Sequence, residues 1–102
     1  MEVLIVEPGK SPYMTTITGD IASLQKVVGG YIEGIEPYDD PVAIICNEDG
    51  KLKGLPPNRR VDKYDIIVGT FMACGIEDED YASLSPELAE KYIEKFKDPE
   101  VF

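Results

Sequence analysis

The sequence contains no histidine and no tryptophan, and it has only two cysteines. Without histidine the chain lacks the usual general base, the base partner of serine and cysteine nucleophiles, and the commonest metal ligand. Cys46 and Cys74 each lie in an apolar stretch and form no Cys-x-x-Cys pair, which indicates reduced, buried thiols. We therefore expect no catalytic motif, no metal site and no cofactor.

Long apolar runs are also missing. No stretch approaches the roughly 18 apolar residues that a membrane span needs. The first residues have no basic lead and only about four apolar residues in a row, which does not fit a secretory signal. With 43 % hydrophobic and 29 % charged residues over 102 positions, the composition predicts a single globular domain, residues 1–102, in the cytoplasm.

Positive charge is scarce overall but concentrated in one segment. Twenty acidic against ten basic residues give a net charge of −10, so we expect no direct binding of nucleic acid. Residues 51–63 nevertheless hold half of the basic residues and have a net charge of +4. Two interpretations stay open for this segment: it pairs with the protein's own carboxylates, or it forms a site for an anion.

Hydrophobic patterning predicts an α+β fold, namely a mainly antiparallel sheet of about five or six short strands with two helices on a face. Asp20 and Gly29 predict the ends of the first helix, and Ser85 with Pro86 predicts the start of the second. The expected order is β-β-α-β-β-β-β-α, with strands at 3–6, 13–17, 31–36, 42–46, 51–53 and 65–70 and an ambiguous segment at 71–76.

The most distinctive segment is Gly54–Arg60, with the sequence GLPPNRR. Its two prolines predict a stiff loop that is not regular secondary structure. A stiff loop loses little entropy when it presents side chains to a ligand. Asn58 can donate and accept hydrogen bonds, and the guanidinium groups of Arg59 and Arg60 suit phosphate oxygens. The alternative is a loop whose polar groups cap neighbouring carbonyls and carboxylates.

Aromatic residues could complete such a site. Because a tyrosine has an apolar face and a polar tip, it can stack on a base or form the rim of a core. Tyrosines at predicted strand ends or turns are Tyr13, Tyr31, Tyr38 and Tyr64.

The chain resembles an uncharacterised family of small proteins, a domain of unknown function found in phages, plasmids and their Gram-positive hosts. The similarity is carried by residues 3–10 (VLIVEPGK), 24–33 (LQKVVGGYIE), 40–48 (DPVAIICNE), 50–59 (GKLKGLPPNR) and 65–71 (DIIVGTF). The resemblance implies a mobile-element origin and no established activity, and it assigns no catalytic residue.

That origin favours an anti-defence protein that binds and sequesters a small nucleotide-type signalling molecule in the host cytoplasm, without cleaving it. The protein would be a homo-oligomer, because one small domain offers little concavity for a closed pocket. In this hypothesis the cationic groups of Arg59, Arg60 and Lys10 hold the phosphates of the ligand. The amides of Asn58 and Asn47 form hydrogen bonds with its polar edges, and the ring of Tyr31 stacks on it.

Two other classes of function stay open. The protein could be an acidic inhibitor that mimics DNA and occupies the basic groove of a host defence enzyme, which the charge of −10 favours. It could also be a small enzyme that uses lysine, tyrosine or carboxylate groups to cleave the signal.

Overall fold

The computed structural model describes residues 1–61 and 65–102. Lys63 of the basic segment 51–63 and the candidate stacking residue Tyr64 therefore lie outside the described residues. Eight strands and two helices occur in the described part. They are β1 (Glu2–Val6), β2 (Tyr13–Thr16), α1 (Ile21–Val28), β3 (Ile32–Ile35), β4 (Val42–Asn47), β5 (Pro57–Arg60), β6 (Ile66–Val68), β7 (Phe71–Glu77), β8 (Asp80–Ala82) and α2 (Pro86–Phe96).

Six strands form the main sheet, in the order β2-β1-β7-β4-β3, with β8 paired to the far end of β7. All of its described pairs are antiparallel. The strands β5 and β6 form a separate two-stranded ribbon. The strand β7 is the central element, since it pairs with β1, β4 and β8.

The main sheet is covered on both faces. One face packs against α2 and the β5–β6 ribbon, with Phe71, Tyr92 and Phe96 in its core. The other face packs against α1, whose Leu24 and Val28 are buried against it. Successive residues of β4 and β7 alternate between the two cores, which explains why both strands are almost continuously apolar. The helices therefore lie on opposite faces, not on one face as the sequence suggested.

Local signals place both helix boundaries as predicted. Asp20 accepts a hydrogen bond from the backbone N–H of Ser23 at 2.9 Å, and Gly29 ends α1 with a φ of 76°. Ser85 caps α2, and Pro86 is its first residue. The α+β class, the mainly antiparallel sheet and the two helices are confirmed.

Two predictions between β4 and β6 are wrong. Residues 51–53 are not a strand but part of a series of turns, in which the N–H of Lys53 bonds to the carbonyl of Asp49. The segment predicted as irregular contains β5, which begins at Pro57. Proline is tolerated at the first position of a strand, and a register shift between Pro57 and Arg59 marks a bulge next to it.

None of the helices in the described ranges has the length and apolar character needed to cross a membrane.

Candidate functional site

Arg59 is the most heavily hydrogen-bonded side chain of the predicted ligand site. The residue is 1 % exposed. Nε and Nη2 donate to the carbonyl of Phe96 at 3.2 and 2.9 Å, and Nη2 also donates to the carbonyl of Lys10 at 2.6 Å. Burial lowers the pKa of Arg59. The guanidinium nevertheless stays charged, because arginine is not deprotonated in proteins. The cation thus binds the C-terminal end of α2, where the helix dipole favours positive charge.

Asn58 completes this buried network. Its amide nitrogen donates to the carbonyls of Val6 and Gly69, both at 2.9 Å. Its side-chain oxygen accepts a hydrogen bond from Nη1 of Arg59 at 2.8 Å. The geometry thus corrects the expectation that Arg59 and Asn58 are presented to a ligand. Their polar groups satisfy backbone carbonyls of the protein itself, as in the alternative interpretation of this loop.

Arg60 and Lys10 lie at the surface beside that network. Arg60 donates from Nη1 to Glu100 at 3.3 Å, and its guanidinium lies 5.3 Å from the centre of the Phe102 ring. Lys10 lies 4.0 Å from Glu7. Both cations therefore have acidic neighbours, and neither belongs to the lining of the three cavities described below.

Asn47 and Tyr31 lie together in a different part of the molecule. Asn47 is buried at the end of β4, where it donates to the carbonyl of Val28 at 3.1 Å and accepts from the N–H of Asp49 at 2.8 Å. The carbonyl of Tyr31 bonds to the N–H of Glu48, while its side chain is 66 % exposed. The six predicted residues thus form two separate groups, and a ligand-binding role for Asn47, Tyr31, Lys10 and Arg60 stays a prediction.

Two of the described cavities do not suit an anion. The smaller, about 120 Å³, lies between β3–β4 and the β5–β6 ribbon and is lined by Asn47, by the ion pair of Lys51 with Asp65, and by Glu33 and Glu48. Carboxylates outnumber cations there. The other, about 310 Å³, lies between the C-terminal end of α1 and residues 55–56 and has no charged side chain in its lining.

The third cavity, about 300 Å³, lies between the turn that follows β3 and the outer face of α2. We call it the α2 cavity; its lining is Pro37, Tyr38, Asp39, Asp40, Lys91, Tyr92 and Lys95. The lining side chains come from two elements, the helix α2 and the segment that follows β3. Lys91 and Lys95 are four residues apart and therefore share one face of α2. The strand β3 ends at Ile35, and Pro37 lies in the segment after it that carries the facing tyrosine and carboxylates.

Two ammonium groups and two tyrosine rings meet in the α2 cavity. Nζ of Lys95 lies 4.8 Å from the ring centre of Tyr38, and Nζ of Lys91 lies 5.8 Å from that of Tyr92. The two rings are 5.3 Å apart between centres. These are the distances of cation–π and aromatic pairs, which favour a fixed arrangement of the four groups.

Asp40 holds the cavity together from the turn. Its Oδ2 accepts hydrogen bonds from Nζ of Lys91 at 2.6 Å and from the hydroxyl of Tyr92 at 2.8 Å. Both hydrogen bonds lower the pKa of Asp40, and the bond from Lys91 has the larger effect. Burial, and then the bond to Asp40, raise the pKa of Tyr92, so its hydroxyl remains a donor at neutral pH. In the described parts of the chain, no group of three acidic or cysteine side chains is placed to hold a metal ion.

Sequence reasoning missed most of the α2 cavity. It named Tyr38 only as one of several tyrosines and did not connect it with Lys91, Tyr92 or Lys95. A signal was present, because Lys91 and Lys95 flank Tyr92 with helical spacing. The pairing with Asp40, 51 residues earlier, could not be read from that spacing.

The two-faced antiparallel sheet with a helix on each face defines an α+β protein whose most cationic cavity lies on its C-terminal helix. The chain belongs to a family described as a domain of unknown function, DUF3846, whose model matches residues 1–97. No curated protein and no solved structure matches the chain. The origin in phages and plasmids stays a prediction.

Proposed function

We propose that the protein binds and sequesters a small nucleotide-type anion without cleaving it, as a mobile-element anti-defence protein in the host cytoplasm. The observation that carries this proposal is the α2 cavity, where two lysine ammonium groups lie beside two tyrosine rings. In a molecule with a net charge of −10, this cavity has as many cations as carboxylates.

Three of these side chains would contact the nucleotide. Lys91 and Lys95 would hold phosphate oxygens, since ammonium groups bind phosphate as point charges. The ring of Tyr38 would stack on a base once the ammonium of Lys95 moves to a phosphate. Asp40 competes with the phosphate for Lys91, so a ligand with more than one phosphate is favoured over one with a single charge.

Sequestration without cleavage agrees with the chemistry of the cavity. The hydroxyl of Tyr92 is engaged by Asp40, and the pKa of Asp40 lies below its ordinary value, so neither group is poised to exchange a proton near neutral pH. We propose a homo-oligomer as the binding form, as the sequence suggested.

Uptake of nucleotides tests the proposal. The purified protein is incubated with a panel of linear and cyclic nucleotides, separated from unbound compounds and heat-denatured, and the supernatant is analysed. Release of an intact nucleotide supports the proposal. An altered product would indicate an enzyme, and no uptake of any compound would contradict binding.

Matched variants then locate the site. Lys91→Gln/Lys95→Gln removes both ammonium groups and should reduce uptake at least about tenfold. Lys26→Gln is the control, because it removes the same kind of charge from the exposed side of α1 on the opposite face of the sheet. Arg60→Gln tests whether the basic segment, residues 51–63, contributes to uptake. Unchanged uptake by the double lysine variant would place the ligand outside the α2 cavity.

One observation favours the second candidate, an acidic protein-binding inhibitor that mimics DNA. The hairpin between β7 and β8 presents the consecutive acidic residues Glu77, Asp78, Glu79 and Asp80 at its tip. Asp78 and Glu79 have φ values of 50° and 69°, which fits a tight two-residue turn. Capture of a DNA-binding enzyme that weakens with salt, and is lost on charge removal at 77–80, would support this candidate.

A further inference from the structure

The strand β2 forms one open edge of the main sheet and carries no charge. Exposed sheet edges present unpaired N–H and C=O groups and are usually protected by charged side chains or proline. Residues 11–19, which contain β2, are all uncharged in a chain with 30 charged residues. Tyr13 at the start of this edge is 46 % exposed. The strand β2 itself therefore has no charged residue and no proline to protect it against pairing, and Pro12 lies just before it.

The hydrogen bonds to β1 show which backbone groups of β2 point outward. Met1 and Ile17 exchange both of their bonds, at 2.7 and 2.9 Å. Bonded pairs alternate along an antiparallel ladder, so Thr15 also bonds to β1. The N–H and C=O groups of Met14 and Thr16 then face away from the sheet, where they can bond to another strand.

We propose that two copies of the protein pair through β2, antiparallel and about a two-fold axis at Thr15. Met14 of each copy then exchanges backbone hydrogen bonds with Thr16 of the other, and Tyr13 lies opposite Ile17. Aromatic and β-branched pairs of this kind stabilise a sheet. The pairing joins the two main sheets into one continuous sheet.

The charges that border the uncharged segment support a second copy as the partner. The segment is flanked by Lys10 on one side and Asp20 on the other, each five residues from Thr15. Antiparallel pairing about Thr15 therefore brings the Lys10 end of each copy toward the Asp20 end of the other. The edge is thus complementary to itself in charge, although each molecule has a net charge of −10.

The other edge of the sheet, β3, is not complementary to itself in charge. The strand β3 contains Glu33 and is followed directly by Glu36. Two copies paired antiparallel through β3 would bring four carboxylates together, and like charges opposite one another destabilise a sheet. The charge distribution therefore selects β2.

Charge variants at the axis test the pairing. The wild-type protein should show a concentration-dependent monomer–dimer equilibrium by sedimentation equilibrium, over the range from about 10 μM to about 1 mM in which small interfaces associate. Thr15→Lys and Thr15→Glu each place like charges opposite one another and should weaken dimerisation at least about tenfold. A mixture of the two variants should recover the dimer, because opposite charges then meet at the axis.

The mixture also separates loss of the interface from loss of folding, since an unfolded variant cannot be recovered by its partner. Leu52→Lys is the matched control: Leu52 is 90 % exposed in the turns after β4 and outside β2, and its substitution should leave dimerisation unchanged. A wild-type protein that stays monomeric over the whole range would overturn the proposal. So would a dimer that persists in both single variants, because it would use another surface.

Discussion

At the scale of single residues, Arg59 has the most demanding position in the molecule. A buried guanidinium is costly to place unless its N–H groups are all satisfied. Here they bond to carbonyls of the β1–β2 connection and of the last turn of α2, and to the neighbouring Asn58. One side chain therefore ties two distant segments of the chain, the β1–β2 connection and the end of α2, to the β5–β6 ribbon.

Replacing Arg59 should thus affect stability first. We expect Arg59→Ala to lower the free energy of unfolding by about 3 kcal/mol, because it leaves a cavity and several buried carbonyls without donors. Arg60→Ala, which removes an exposed ion pair, should lower it by less than about 1 kcal/mol. Urea unfolding measures both. Equal and small effects would contradict the structural role of Arg59.

The sequence could not distinguish these two arginines. Both follow the same two prolines, and each pattern fits an exposed cation as well as a buried one. What decides the role of Arg59 is the carbonyl of Phe96, 37 residues later in the chain. Contacts of that separation leave no periodic signal, so the buried arginine was predicted as a phosphate ligand.

At the scale of elements, local signals were reliable where the chain determines its own geometry. Asp20, Gly29, Ser85 and Pro86 define helix ends through neighbours within four residues, and these ends were predicted. Strands depend on partners elsewhere. The alternation Lys51-Leu52-Lys53 resembles a strand, yet these residues form turns and pair with no other strand of the described residues. The side chain of Leu52 stays exposed to solvent. The strand β5 was missed because Pro56 and Pro57 predict irregular structure, whereas Pro57 occupies the first position of the strand, where its missing N–H is tolerated.

Two strand glycines give a test at this scale. A Cβ on Gly75 of β7 would overlap the backbone carbonyl of Ser83, which cannot move without shifting β8. A Cβ on Gly34 of β3 would overlap only the hydroxyl of Tyr81, the far end of a rotatable side chain. We expect Gly75→Ala to destabilise the protein by more than about 2 kcal/mol and Gly34→Ala by about 1 kcal/mol.

Thermal or urea unfolding of the two variants checks this order. Gly34→Ala combined with Tyr81→Phe should recover part of the loss, because the overlapping hydroxyl is then absent. A Gly34→Ala variant that is less stable than Gly75→Ala would show that β3 is held more rigidly than β8.

At the scale of the whole molecule, each face of the sheet has its own thiol. Cys46 belongs to the core under α2 and Cys74 to the core under α1. Burial raises the pKa of Cys46 from 9.0 to about 11 and that of Cys74 from 9.0 to about 12. Both cores therefore keep their thiols protonated when the unfolded chain already loses those protons.

The stability should consequently fall in mild alkali. Above the unfolded pKa of about 9 the unfolded state binds fewer protons than the native state, so the free energy of unfolding decreases as pH rises. We expect a loss of about 2–3 kcal/mol between about pH 8 and about pH 10 for the two thiols together. The double variant Cys46→Ala/Cys74→Ala should begin less stable and show a flatter profile. Parallel profiles for the two proteins would contradict this origin.

The position of β1 has a consequence for how the protein is made. This strand leaves the ribosome well before its inner neighbour in the sheet, β7, in which Ala73 lies beside Leu4. During synthesis the β1–β2 hairpin must wait, with its apolar residues uncovered, until most of the chain has emerged. The N–H of Leu84 also donates to the carbonyl of Glu2 at 2.8 Å, which adds a second contact between β1 and a distant segment. Closure of the sheet then depends on contacts far apart in the sequence, so folding is expected to be slow for a chain of this size.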